Sequence, residues 1–236
     1  LRISKEHRKF LIIEQICALL QLKENGQKNL RQNKKNKRFV YLISPNKIKN
    51  EEFYIKLNQV LSSKKVSFFQ LRLKKENFNR KLIIGKKIKK ICKKYQVKFL
   101  INDDPLIAKK INADGCHLGQ KDMNIFMARK ILKNKIIGIT CHNSISLAKK
   151  AIANGANYIA LGSFYSSKTK KIRYKASLKI LSLTKKLTNT PIVAIGGIKD
   201  TNYKKLLLNK ANFLAISGYI WKNKKLSPKE AIDKLI

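Results

Sequence analysis

Acidic side chains are scarce in this 236-residue chain: 13 Asp and Glu stand against 54 Lys and Arg, for a formal net charge of +41. Arginine is scarce too, with 8 residues against 46 lysines. That argues against direct base readout, which leans on the planar guanidinium fork. No apolar run reaches the roughly 18–20 residues a membrane span needs. The best stretch, Phe10 to Leu22, is interrupted by Glu14 and Gln15. It predicts an amphipathic helix, and it lacks the small-residue cleavage site of a secretory signal. Cys17, Cys92, Cys116 and Cys141 lie far apart, with no C-x-x-C pair and no zinc spacing. They read as reduced thiols of a cytoplasmic protein. Nor is there a Ser/His/Asp or Cys/His arrangement to suggest an enzyme nucleophile.

What is present supports one folded domain. Apolar residues make up 44% of the chain, enough for a sizeable core. The lysines are spread along the whole length, beside abundant Asn and Ile, and read mainly as solvated helix faces. Residues 28–38, KNLRQNKKNKR, have no apolar periodicity and read as a flexible basic linker. A nucleic-acid-binding module would place aromatic stacking platforms among such charges, and this segment has none.

From residue 39 onward, β-branched or aromatic runs alternate with segments of helical period. Strands are expected at 39–44, 66–73, 98–102, 115–119, 136–140, 157–162, 191–197 and 213–218. Helices are expected at 51–62, 79–95, 105–111, 123–132, 144–154, 175–187, 201–209 and 227–235. Eight strands and eight helices in strict alternation predict a parallel sheet with right-handed crossovers. At this length the pattern fits a closed (β/α)8 TIM barrel better than an open sheet. Ser44-Pro45-Asn46 after the first strand is not the glycine-rich turn a dinucleotide fold requires. The expected organisation is an N-terminal extension over 1–38 and an α/β barrel over 39–236.

Chemistry in such a barrel sits at the C-terminal strand ends. Gln70, Arg72 and Lys74 are spaced by two and share one face of strand 2. That face is either the barrel interior near its mouth or an ordinary charged surface with Phe69, Leu71 and Leu73 buried behind it. Strand 3 ends in Asn102-Asp103-Asp104, and Asp122 follows strand 4. Carboxylates on adjacent strand ends suit Mg2+; alternatively Asp103 and Asp104 cap the helix beginning at Pro105. Strand 5 ends in Thr140-Cys141-His142. His117 and His142 read as hydrogen-bonded framework residues, with no third His or Cys to support zinc. Strand 6 runs into a hydroxyl- and lysine-rich loop, and strands 7 and 8 end in Gly196-Gly197 and Ser217-Gly218. Small turns there let backbone N–H groups approach a phosphate. The sum is a mouth for Mg2+ and a diphosphate beside a monophosphate site.

From about Phe39 to Trp221 the chain resembles the thiamine-phosphate synthases, and more loosely the thiazole tautomerases that share their fold. The matching segments are FFQLRLK (68–74), FLINDD (99–104), ADGCHLGQKD (113–122), IGITCH (137–142), ANYIALGSFYSSKTK (156–170), PIVAIGGI (191–198) and ANFLAISG (211–218). The resemblance implies a transferase that couples hydroxymethylpyrimidine diphosphate with a thiazole monophosphate, giving thiamine phosphate and pyrophosphate. It assigns Gln70, Arg72, Lys74, Asn102, Thr140 and Lys170 to the pyrimidine diphosphate, and Asp103 and Asp122 to Mg2+. Ser167, Lys168, Thr169, Gly197, Ile216 and Ser217 fall on the thiazole phosphate site. The implied mechanism is dissociative: pyrophosphate leaves first, helped by Arg72, Lys74 and Lys170, and the thiazole nitrogen captures the pyrimidine cation.

The chain departs from the family pattern at several points. Ser163 and Ser166 each replace a proline, Lys171-Ile172-Arg173 follows the loop in place of an acid, and Thr140 stands where Ser is common. A tautomerase-like paralogue is the alternative these leave. Retention of Asp103, Asp122 and Lys170 favours the synthase, because a tautomerase has no diphosphate to ionise. The expected partners are phosphorylated small molecules, without specific nucleic acid or membrane, and self-association is left open.

Overall fold

The computed structural model describes residues 38–166 and 174–235. The expected N-terminal helix and all but the last residue of the basic linker lie outside those residues, as do Ser167, Lys168, Thr169 and Lys170. Eight strands close into a parallel barrel in chain order: β1 Val40–Ile43, β2 Val66–Leu71, β3 Lys98–Asn102, β4 Gly115–Leu118, β5 Ile136–His142, β6 Tyr158–Gly162, β7 Ile192–Ile195 and β8 Phe213–Ile216. The crossovers carry α1 Glu52–Leu61, α2 Phe78–Lys94, α3 Pro105–Lys110, α4 Ile125–Leu132, α5 Ile145–Ala153, α6 Lys179–Leu187 and α7 Tyr203–Leu208. A one-turn helix, α8 Gly218–Trp221, follows β8 directly, and α9 Pro228–Asp233 closes the ring. The eight-fold alternation read from the sequence is present in full. The turn at α8 was not anticipated, because four residues are too few to show helical period.

Alternation along each strand sorts two cores. Outward residues such as Phe69, Leu71, Phe99, Ile101, Cys116, Ile137 and Ile159 pack against the helices. Inward ones, Tyr41, Leu100, Tyr158, Ala160, Val193 and Ala215, fill the barrel with Phe68 and Phe213 against them. The interior is a packed core, as closed barrels of this size require. Each fully buried aliphatic or aromatic side chain contributes about 1.5–3 kcal/mol. Gly138 makes room for the largest inward residue: a Cβ there would lie 1.8 Å from Cζ of Tyr158.

At the far end of the barrel from the mouth, one device recurs three times. Asp114, Asn157 and Asn212 precede β4, β6 and β8, and each accepts at its side chain from a backbone N–H of a neighbouring strand. The donors are Phe99 (2.8 Å), Ile137 (2.9 Å) and Ile192 (2.9 Å). Each side chain thus supplies an acceptor to a strand-start N–H and ties neighbouring strands together. Asp114 belongs to this framework and not to the site.

Helix starts follow their capping residues. Asn77, Asn124 and Ser144 accept from the third residue beyond them, and Ser227 forms a reciprocal capping box with Glu230. Asp104 caps α3 by accepting from Ile107 N–H at 2.9 Å, ahead of Pro105 at the first helical position.

Candidate active site

Strand β2 settles the two readings of its alternation in favour of the barrel interior. Phe69, Leu71 and Leu73 are buried against the helices, and Gln70 therefore points into the barrel with Phe68 beneath it. Gln70 is 2% exposed, and its Nε2 has no hydrogen-bond partner among the described residues. A buried amide donor left open costs about 1–3 kcal/mol, which marks the top of the barrel as built to receive an acceptor. Arg72 and Lys74 continue the same side beyond the strand. The Arg72 N–H donates to Ser44 Oγ at 2.9 Å, and its guanidinium donates to Asn46 Oδ1 at 3.2 Å. Among the described residues it is paired with no carboxylate, so the fork is available to an anion.

Beside this row, the consecutive aspartates at the end of the adjoining strand β3 divide their duties. Asp104 is the helix cap. Asp103 adopts φ 65°, the left-handed region that disfavours side chains, and its N–H donates to His117 O at 2.8 Å. That conformation turns the carboxylate into the mouth, where Oδ2 accepts from Lys74 Nζ at 2.8 Å. Asp122 is held beside it by the loop after β4, accepting at Oδ2 from Gly119 N–H at 2.7 Å.

The two carboxyls titrate in opposite directions. Burial alone would raise Asp103, but hydrogen bonds from Lys74 and Asp122, with the positive field of Lys74, hold it below its ordinary value. Burial, then the neighbouring Asp103, pushes Asp122 up, opposed by the Gly119 N–H. Like charges this close resist joint ionisation, so the pair calls for a cation. Among the described residues no group of three or more His, Cys, Asp or Glu gathers to hold a metal. Two carboxylates without sulfur or imidazole fit a hard ion that keeps water and substrate oxygens in its shell.

Strand β5 brings Thr140 to the same mouth, next to a register shift between Thr140 and His142. Its Oγ1 lies 2.8 Å from His117 Nε2. His117 is 8% exposed, and burial pushes its imidazole down to about 4, partly offset by Asp103. It is a neutral framework residue, as its sequence context suggested. Asn102 ends β3 in register with His117, which places it between Gln70 and the aspartates.

On the opposite side of the rim, Gly197 has φ 59°, and a Cβ there would come within 2.3 Å of Ser166 O. Only glycine lets the β7 turn pass that close to the loop after β6. Ser217 follows β8, donates from Oγ to Ser44 O at 3.1 Å, and opens α8. Ile216 is 1% exposed and packs in the outer core, so its side chain does not face the mouth. Ser44 was missed in the sequence. Fully buried, it joins β1 to β2 through its N–H and Oγ and to β8 through its carbonyl. Its only sequence signal was its place at a strand end.

The three described cysteines, Cys92, Cys116 and Cys141, are unpaired and buried. Burial raises all three thiols, Cys116 and Cys141 to about 12, so none is a nucleophile. No helix among the described residues is long and apolar enough to cross a membrane.

Known proteins resemble this chain in sequence and in fold. The family model described as thiamine monophosphate synthase matches residues 40–220. The thiamine-phosphate synthase of Pelagibacter ubique (strain HTCC1062) is 73% identical over 206 residues, spanning 87% of this chain and 100% of the relative. That of Nitrosomonas eutropha is 38% identical over 179 residues, covering 75% and 84%. The solved thiamine phosphate pyrophosphorylase from Pyrococcus furiosus superposes with a TM-score of 0.74 at 27% identity, covering 85% of this chain and 94% of that one. A 3-hexulose-6-phosphate synthase, at 16% identity and a TM-score of 0.58, shares the fold alone. A match across all eight strands, together with relatives of this identity and coverage, makes the chain a member of the thiamine monophosphate synthase family.

Proposed function

We propose that the barrel mouth couples hydroxymethylpyrimidine diphosphate to thiazole monophosphate, releasing pyrophosphate and forming thiamine phosphate, with Mg2+ held by Asp103 and Asp122. The observation that carries this assignment is the Asp103–Asp122 pair standing beside the Gln70, Arg72 and Lys74 row of the adjoining strand. Neighbouring carboxylates call for a divalent cation, and the adjacent cations call for a polyanion.

The residues act on the leaving diphosphate and on the orientation of the ring that bears it. Gln70 offers its unpartnered Nε2, and Asn102 its amide, to acceptors on the pyrimidine half. Arg72 supplies a fork to phosphate oxygens. Lys74, paired with Asp103 here, has a stem long enough to serve the diphosphate when the carboxylate is otherwise engaged. Lys170, by its place in the family pattern, grips the diphosphate from the loop after β6. These cations meet charge that grows on pyrophosphate as the C–O bond breaks, so their interaction is strongest in the transition state. Bound Mg2+ would add Lewis-acid stabilisation of the same oxygens. The thiazole phosphate is assigned to Ser167–Thr169, Gly197 and the Ile216–Ser217 backbone. Its ring nitrogen supplies the electron pair for the new C–N bond, so the enzyme needs no nucleophile.

The substrates and the buried, unpaired thiols suit a reducing cytoplasmic setting. One assay tests the reading: the purified full chain with both phosphorylated halves and Mg2+, followed for thiamine phosphate. Formation that depends on both halves supports it. Isomerisation of a thiazole phosphate without coupling would put the tautomerase reading in its place.

A further inference from the structure

Inside the barrel Tyr41, Tyr158 and His117, to which the reaction assigns no part, form a chain of hydrogen bonds that ends on Thr140. Tyr41 and Tyr158, 117 positions apart, join hydroxyl to hydroxyl at 2.8 Å. The Tyr158 hydroxyl lies 2.8 Å from His117 Nδ1, and His117 Nε2 lies 2.8 Å from Thr140 Oγ1. The Tyr158 ring stacks on the imidazole at a centroid distance of 5.6 Å, so the ring cannot turn freely.

Counting protons orders this chain. Three hydroxyls and a neutral imidazole carry four protons for three bonds, so one proton must leave at an end. At the Tyr41 end it has nowhere to go. Tyr41 is 2% exposed and among the described residues its hydroxyl has no partner but Tyr158; its surroundings are the rings of Phe68, His117 and Tyr158. An imidazolium would not help, because Tyr158 would then donate to Tyr41 and leave the same proton stranded. A hydroxyl proton buried without an acceptor is strongly disfavoured. At the other end, Thr140 stands at the mouth, where an acceptor can reach it. The donors therefore run Tyr41 to Tyr158, Tyr158 to Nδ1, and Nε2 to Thr140.

We infer that His117 is a positioning residue, held as the Nε2–H tautomer by Tyr158 and Tyr41, so that Thr140 presents its hydroxyl proton to the mouth and there meets an acceptor atom of the pyrimidine half. The pyrimidine part of this inference rests on the function proposed above; the tautomer does not. The β-branch of Thr140 limits χ1, and the imidazole N–H occupies a lone pair on Oγ1, so its proton has a defined direction. Thr140 is then a donor to an electron-rich atom, such as a ring nitrogen, and not an acceptor for an amino group.

Nitrogen NMR of the ligand-free full chain, labelled with 15N-histidine, reads the tautomer directly. There are three histidines, His7, His117 and His142, so His7→Gln and His142→Gln identify the remaining resonances. A protonated Nε2 and an acceptor Nδ1 on His117 are expected. A protonated Nδ1, or an averaged mixture, would overturn the inference whatever the enzyme does.

Kinetics tests the consequence. His117→Leu removes the donor to Thr140, whereas His117→Gln retains an amide N–H at that reach. His117→Leu should raise KM for the pyrimidine diphosphate about tenfold, the scale of one hydrogen bond, with KM for the thiazole phosphate changed less than about twofold. His117→Gln should recover most of that loss. Equal losses in both variants, or equal effects on both substrates, would reduce His117 to packing. A wild-type protein that does not couple the halves would overturn the synthase reading and leave the NMR result to judge the tautomer.

Discussion

Gly138 and Tyr158 face one another on neighbouring strands so closely that a Cβ at 138 would fall 1.8 Å from Cζ of the ring and 2.3 Å from both Cε atoms. The ring cannot retreat, because its hydroxyl is held by Tyr41 and lies against His117. Gly138→Ala should therefore overpack the barrel interior by about 1–3 kcal/mol, lowering Tm by about 2–12 °C. Thermal unfolding checks this, and an unchanged Tm would show that the tyrosine does not fill that space.

The carboxylate pair predicts a metal requirement. Exhaustive chelation should abolish coupling and Mg2+ should restore it. Asp103→Asn and Asp122→Asn should each reduce the rate by about 100-fold or more, the scale of a lost electrostatic contact to the transition state. Full activity after chelation would remove the metal role from this pair.

Adjacent aspartates should separate cleanly. Asp104→Ala removes the cap on Ile107 N–H and should cost about 1 kcal/mol of stability, while coupling stays within about twofold. Asp103→Asn should show the reverse weighting. Denaturation and rate measured on the same two proteins decide it, and equal effects on rate would mean that both carboxylates serve the site.

Lys74 competes for the carboxylate that a cation would use, at 2.8 Å. Lys74→Met should raise the affinity of the substrate-free protein for Mg2+ by a few-fold, about 0.5–1 kcal/mol for a half-exposed pair, yet slow the coupling reaction. Calorimetric titration with Mg2+ reads the first effect and turnover reads the second. Weaker Mg2+ binding in the variant would contradict the competition.

Lys170 is assigned through the family pattern. Lys170→Ala should lower kcat more than it raises KM, by about 2–4 kcal/mol in transition-state stabilisation. Lys168→Ala and Lys171→Ala should each change the rate by less than about 1 kcal/mol, the scale of exposed charges. Similar losses in all three would point to a general field instead of a specific contact.

The order of strands and helices was legible because each unit carries its own periodicity: alternation in Phe68–Leu73, helical spacing across Phe78–Lys94, and an Asx or Ser cap before most helices. Closure into eight followed from counting, and the strand ends drew attention to Gln70, Arg72, Asp103, Asp122 and Thr140, while the roles of the loop residues came from the family resemblance. These are local properties, set by one segment's chemistry and its place in a regular repeat. Boundaries slipped where tertiary contacts decide them: β2 stops at Leu71 and β5 runs on to His142.

What only the tertiary structure decided depends on which side chains meet across the closed sheet. Composition could not separate Asp104 the cap from Asp103 the site residue, since the left-handed turn at Asp103 and the arrival of Asp122 from another strand make the difference. Nor could it show Gln70 turned inward while Phe69 and Leu71 turn outward, because a strand buried on both faces offers no polar side to orient it. Tyr41, His117 and Tyr158 look like ordinary strand residues one at a time. Barrel closure brings them within 2.8 Å of their partners and removes water from around them, and in that enclosure every proton must find an acceptor. The sequence alone determined which elements form and in what order; closure alone determined which polar groups face one another in the dry interior.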